Sequence, residues 1–389
     1  MIEKYYSGVI EQIYNRIGKE TRNIVMANYS NDFSIGNLEV IRRYQSNEDN
    51  VFFAYSEFSY NTLVGAYEPF LDIICNMHRR FIGGSFDDFQ KECGVYYLHR
   101  QVLNSYYETG ECFREETVLL NEVAYEQRRM TMAIADMLKR LSEVRPLMIV
   151  INRFQMASKS SIETIKYLID NPCANIGIVL GVNAIVKGAD STVEVWDRIV
   201  ESLEDRSAIY YIGSAGPLKN NIKTTNDDEL YITMNFEQSI QEASNIMEFL
   251  DYEQARRGCR IIEHKIKFEN AWIDEKSLRR FYLVYARTSV LLGEMSKAIE
   301  LMNEYKALIP ENDSEHYFSL YYFMKGTCYM YQGKLEKAEG CAKKAYDYAL
   351  LADDELLEFK SELLSVMIKM SGWYNICLLY TSPSPRDRG

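Results

Sequence analysis

Apolar residues in the first half of the chain fall into two alternating kinds of stretch. Short continuous runs at 22–27, 51–56, 147–151, 176–182 and 208–212 are bounded by polar residues and predict buried strands. Between them the apolar positions recur every three or four residues. Tyr6, Ile10, Ile13 and Ile17 predict a helix over 3–18, and Leu38, Val40, Ile41 and Tyr44 one from about residue 37. Helices over 158–169 and 193–203 follow the third and fourth runs. The stretch opened by Tyr67, Pro69 and Phe70 and the span 86–141 also read as helical, with breaks near Gly94 and Gly110. Strands separated by helices predict a parallel sheet with helices on both faces.

From about residue 230 the runs stop and helix pairs take over, with a repeat. Leu292-Gly293-Glu294 is followed by Lys297-Ala298-Ile299, and about forty residues later Gln332-Gly333-Lys334 is followed by Lys337-Ala338-Glu339. Gly372 stands near the same interval again, and Ala255 marks a weaker copy upstream. Glycine permits the turn between paired helices, and a small alanine lets the second helix pack closely on the first. This predicts an α/β parallel-sheet domain over 1–229 and an all-α helical-repeat solenoid over 230–376. In 377–389, Pro383 and Pro385 cannot continue a helix, which sets the tail apart.

Composition narrows the function. The chain is 47% hydrophobic and 26% charged, as expected of a globular protein, and its net charge of −12 argues against a nucleic-acid or anionic-membrane surface. No apolar run is long enough to span a bilayer, and the N-terminus has no signal-peptide core, so a cytoplasmic location is expected. The eight cysteines form no C-x-x-C pair, and none is near a histidine at zinc spacing. The four histidines, His78, His99, His264 and His316, form no ligand motif, so no metal is expected. There is no G-x-S-x-G elbow, and Gly213-Ser214-Ala215-Gly216 lacks a lysine and reads as a strand-end turn. The acidic residues Asp353, Asp354, Glu355, Glu358 and Glu362 sit at a helix start, where they complement its dipole.

Three segments carry a family likeness. Gly65-Ala66-Tyr67-Glu68-Pro69-Phe70, the stretch from Met148 to Leu168, and the run 176–183 ending in Asn183 resemble segments of the AAA/STAND class of P-loop ATPase modules. The helical part resembles the tetratricopeptide-type repeats that follow such modules in bacterial signalling regulators. Residues 377–389 resemble translated sequencing-adapter read-through, which implies a non-native tail and a native chain continuing beyond residue 376.

The likeness also shows what is missing. A phosphate-binding loop needs a lysine for the β- and γ-phosphates and a hydroxyl for Mg²⁺. Aligned on Gly36, this chain has Asn31 for the first glycine, Asn37 for the lysine and Leu38 for the Ser/Thr. Where the family has acidic residues at the third strand, it has Asn152 and Arg153, and Asn183 takes the place of the polar sensor. The resemblance therefore implies a pseudo-ATPase module: no catalytic residues, no bound cofactor, and ATP only as a lesser alternative. Its expected role is regulatory, with the repeats contacting a protein partner or an effector domain such as a GGDEF diguanylate cyclase or a helix-turn-helix regulator. An ATP-binding switch with an atypical loop and a plain interaction scaffold are the alternatives.

Overall fold

The computed structural model describes residues 2–29, 36, 38–46, 50–59, 63–112, 122–183, 186–187, 193–212, 223–224, 235–268, 273–312 and 314–381. It divides into two compact units, Met1–Glu269 and Asn270–Gly389.

In the first unit, α1 (Ile2–Arg16) leads into β1 (Ile24–Tyr29), α2 (Glu39–Ser46) and β2 (Phe52–Glu57). Helices α3 (Phe70–Met77), α4 (Phe86–Glu92), α5 (Tyr97–Thr109) and α6 (Val123–Val144) separate β2 from β3 (Leu147–Asn152). Gly94 and Gly110 break this span in the left-handed region, at φ of 71° and 75°. Then come α7 (Lys159–Asp170), β4 (Ile176–Asn183), the two-residue β5 (Val186–Lys187), α8 (Val193–Glu204), β6 (Ile209–Ile212) and β7 (Lys223–Thr224). The main sheet has five strands, all parallel, in the order β2-β3-β4-β1-β6. The strands are apolar runs because the sheet is covered on both sides. One face packs Val25, Ala27, Tyr29, Phe53, Met148, Val150 and Val179 against Tyr6, Ile10 and Ile13 of α1 and Val40 and Ile41 of α2. Alternate residues such as Ile149, Ile151, Ile178 and Leu180 point to the opposite face and are fully buried. There α6, α7 and α8 lie side by side.

The α/β unit extends beyond residue 229, the boundary that periodicity suggests. Helices α9 (Phe236–Glu248) and α10 (Tyr252–Phe268) belong to it. Asp251, between them, accepts from the backbone N–H of Ser160 at 3.0 Å, at the start of α7. Asn245 accepts from Cys112 N–H at 2.9 Å and donates to the Gly110 carbonyl at 3.0 Å, while Gln254 donates to the Val64 carbonyl at 2.9 Å. Ala255, in α10, is fully buried within this unit.

The second unit stacks α11 (Glu275–Leu291) on α12 (Met295–Ala307), then α13 (Glu315–Tyr331) on α14 (Leu335–Leu351), then α15 (Glu355–Thr381). Gly293 and Gly333 make the hairpin turns, at φ of +78° and +72°, and Ala298 and Ala338 are fully buried just after them. A Cβ on Gly326 of α13 would lie 3.4 Å from the Ala338 carbonyl oxygen and 3.3 Å from the Cys341 Cβ, so the two helices approach as closely as small residues allow. Gly372 departs from the expected pattern: α15 runs through it without a turn and continues to Thr381. No proline follows Gly372 before residue 383, so its backbone keeps its helical bonds. Residues 382–389, with Pro383 and Pro385, lie outside the described residues, as do Gly213–Gly216. Asp354 caps α15, accepting from Leu357 N–H at 3.0 Å, and also bonds His316 Nδ1 at 2.8 Å.

Candidate functional site

In an open parallel sheet, ligands bind beyond the carboxyl ends of the strands, where neighbouring crossovers leave on opposite faces. Here that point lies between β1 and β4. The chain leaves β1 through α2 on one face and leaves β4 through α8 on the other, and the last residues, Tyr29 and Asn183, pair in register. Along the same edge the last residues of β2 and β3, Glu57 and Asn152, also pair.

These strand ends are tied to one another. Tyr29 donates its hydroxyl to Asn152 Oδ1 at 2.5 Å. Asn152 Nδ2 donates to Glu57 Oε1 at 3.1 Å, and the Arg153 backbone N–H donates to Asn152 Oδ1 at 3.0 Å. Arg153 has left-handed backbone, φ 55°, which turns its guanidinium back toward β2. There Nη1 lies 3.3 Å from Glu57 Oε1 and 3.4 Å from the Phe58 carbonyl oxygen. Tyr55 donates its hydroxyl to Glu57 Oε2 at 2.6 Å. Glu57 therefore receives from Asn152, Arg153 and Tyr55 together. Burial first, then the bond and charge of Glu57, push the Tyr55 hydroxyl well above its usual range. Tyr6 of α1 lies edge-on to Tyr29, and burial, then Tyr29, push its hydroxyl up as well. Among the described residues, the Asn152 amide oxygen and both Glu57 carboxylate oxygens at this edge are already engaged by donors.

Asn152 and Arg153 thus stand together at the edge, as the sequence places them, and Asn183 is buried at the end of β4. Asn183 donates its backbone N–H to Gln155 Oε1 at 3.3 Å. Gly36 lies against Tyr55: a Cβ there would be 3.0 Å from the Tyr55 ring, so the residue aligned with the loop glycine contacts an aromatic wall. Leu38, aligned with the metal-binding hydroxyl, is buried in the apolar layer under α2. Asn31 and Asn37 lie outside the described residues. Sequence reasoning missed Tyr29, Tyr55 and Glu57. Glu57 had a signal, as a lone carboxylate directly after an apolar run.

Other candidates resolve into packing. His99 is fully buried with Nε2 3.0 Å from Glu126 Oε2, and His78 sits among Phe86, Phe89 and Tyr107. Neither is a surface group. Among the described residues no group of three or more His, Cys, Asp or Glu could hold a metal ion, and no helix is long and apolar enough to cross a membrane. A cavity of about 340 Å³ adjoins this network at Glu57 and is also lined by Glu68, Asp72, Tyr106, Glu242 and Phe249, among others. Burial, then Glu68 and Asp72, raise the Glu242 carboxyl to about 7.

No protein-family model matches the chain, and a search of curated proteins finds no match.

Proposed function

We propose that the α/β unit is a non-hydrolysing, P-loop-NTPase-like scaffold and that the chain works as a regulatory module, through protein contacts of its helical repeats. The observation that carries this reading is the Tyr29–Asn152–Glu57–Arg153 network. Phosphoryl transfer depends on positioning and on charge placed against the phosphates and their metal. At the strand edge where that charge would stand, Arg153 is neutralised by Glu57, and the Glu57 carboxylate is engaged by three donors. An Mg²⁺ arriving here would have to displace Arg153 from Glu57 and would gain an amide in place of a second carboxylate.

The repeats support the second half of the reading. Helix hairpins stacked by glycine turns and alanine contacts build an extended surface suited to a peptide or another domain. In this reading the repeats relay a signal to an effector.

A thermal-shift series with ATP alone and with Mg-ATP, alongside a phosphate-release assay, tests the non-hydrolysing half. The expected result is no shift above about 1 °C at millimolar nucleotide and no release above buffer. A shift that requires Mg²⁺, with turnover, would overturn it in favour of an ATP-dependent switch.

A further inference from the structure

Lysines and tyrosines gather on one strip of the second unit. On α13 the ridge is Tyr322, Lys325 and Tyr329, and on α14 it is Lys337, Lys344 and Tyr348, at spacings that keep each set on one helix face. The two ridges lie side by side in the hairpin, with the Tyr322 and Tyr348 rings stacked at 5.7 Å. Lys344 Nζ stands 5.2 Å from the centre of the Tyr322 ring. Lys325, Lys334 and Lys337 all stand within 6.0 Å of the centre of the Tyr329 ring. Lys325 also donates to the Tyr321 hydroxyl at 2.9 Å, and Lys306 of α12 stands 5.5 Å from the centre of the Tyr321 ring. Lys306, Lys334, Lys337 and Lys344 are exposed, and Lys325, Tyr322 and Tyr329 are half-buried.

Packing of a lysine stem on a ring explains one such contact. It does not explain five ammoniums on one strip of a chain whose net charge is −12. Among the described residues none of the five is in an ion pair, whereas Lys297 pairs with Glu300 and His316 with Asp354 elsewhere in the unit. Glu336 and Asp347 of α14 lie roughly a quarter turn off its ridge and pair with none of them. Each ring offers its negative face to a cation, which eases the repulsion. Like charges gathered this closely still raise the local potential and favour an anion. The strip lies between α12, where Tyr321 meets Asn303, and α14. Helix α15 packs on another face of α13, at Gly326 and Met330, so described helices flank the strip on both sides.

We propose that this strip docks an acidic segment of a partner protein, its carboxylates set against Lys325, Lys337 and Lys344. From Tyr321 to Tyr329 the strip runs about 12 Å, the reach of about four residues of extended chain. Acidic side chains at alternate positions of such a segment fall on one face, about 7 Å apart, so successive carboxylates can meet successive ammoniums. Exposed complementary charge of this kind gives fast association and choice of partner more than tight binding. A nucleic acid fits less well, because its phosphates would run beyond the strip onto a strongly negative protein. The proposal rests on the reading of the repeats as a protein-contact surface. That reading is overturned by Mg-dependent ATP turnover and the strip by its own titration, so the two failures are told apart.

Fluorescence anisotropy of labelled hexaglutamate, titrated with the full chain at about 50 mM salt, tests this. Saturable binding is expected, weakening as salt rises. Lys337→Glu combined with Lys344→Glu changes exposed side chains, so the circular dichroism spectrum should hold while affinity falls at least tenfold. Lys337→Gln and Lys344→Gln, which keep a polar side chain, should each weaken binding several-fold. Lys343→Glu, exposed on the adjoining face of α14, changes the net charge as much as either single reversal and should stay within twofold of the parent. No saturable binding at up to about 0.3 mM protein overturns the proposal. So does binding that survives the double reversal, an equal loss in Lys343→Glu, or octauridylate bound more tightly than the peptide.

Discussion

The Tyr29 hydroxyl bonds Asn152 Oδ1 at 2.5 Å although β1 and β3 are not neighbours, because β4 runs between them. In β4 the residue in register with Ala27 is Gly181, so small residues occupy the face over which the Tyr29 side chain reaches. The bond fastens three strands at the edge where a ligand would enter. Tyr29→Phe removes this donor from a buried amide oxygen. A loss of about 1–2 kcal/mol is expected in urea unfolding, with little change in the spectrum of the folded state.

Restoring an acid at the third strand should harm the protein and should not rescue the site. In Asn152→Asp the new carboxylate would face Glu57, whose Oε1 now accepts from Asn152 Nδ2 at 3.1 Å. Two carboxylates at that distance repel, so the variant should be less stable by about 1–3 kcal/mol at pH 8 and recover as pH falls through the carboxylate range. Adding Glu57→Gln should remove most of the penalty. Urea midpoints of the three proteins at pH 5 and pH 8 read the coupling directly.

Glu242 gives the α/β unit a pH dependence of its own. Its folded-state carboxyl is raised to about 7 from 4.5, by burial first and then by Glu68 and Asp72, and Glu68 is itself raised by burial. The unfolded chain releases this proton near the usual carboxylate value, whereas the folded chain holds it until about 7. Stability from this group is therefore present below about pH 4.5 and lost as pH rises through about 7. Glu242→Gln should flatten that stretch of the stability profile and be more stable than the parent at pH 8 by about 1–2 kcal/mol. Chemical denaturation across pH 5–8 measures it.

How much of this was legible in the sequence depended on whether the cause was local. The strands could be read because each is a continuous apolar run, and Asn152 and Arg153 stood out because they end the third. The partners of Asn152 could not be found this way. Glu57 comes beside it only through the pairing of β2 with β3, and Tyr29 only through the placing of β1 beyond β4. The first strand was also read as ending at residue 27, two positions short, which left Tyr29 in a loop. Helices α9 and α10 have the same periodicity as the repeats. Single polar contacts, Asp251 to Ser160 and Asn245 to Cys112, place them with the sheet, and such contacts leave no periodic trace. At Gly372 the glycine alone gave no turn, since Gly293 and Gly333 have left-handed φ and Gly372 lies within a helix.

Close packing in the repeats should show in a size series at one position. A Cβ at Gly326 already comes within 3.0 Å of Leu364 Cδ2 and 3.3 Å of Cys341 Cβ. Gly326→Ala should change stability by less than about 1 kcal/mol, because improved helix propensity offsets the crowding. Gly326→Leu should cost about 2–3 kcal/mol or more by forcing α13, α14 and α15 apart. Thermal unfolding monitored by far-ultraviolet circular dichroism separates the two.

Isothermal titration calorimetry of Mg-ATP into the full chain tests the central claim most directly, run beside Glu57→Ala and Arg153→Ala. The account expects no saturable heat from the parent at up to about 1 mM nucleotide, that is, a Kd above about 1 mM and a binding free energy no more favourable than about −4 kcal/mol. Saturable Mg-dependent binding in the micromolar range, weakened by either substitution, would contradict it.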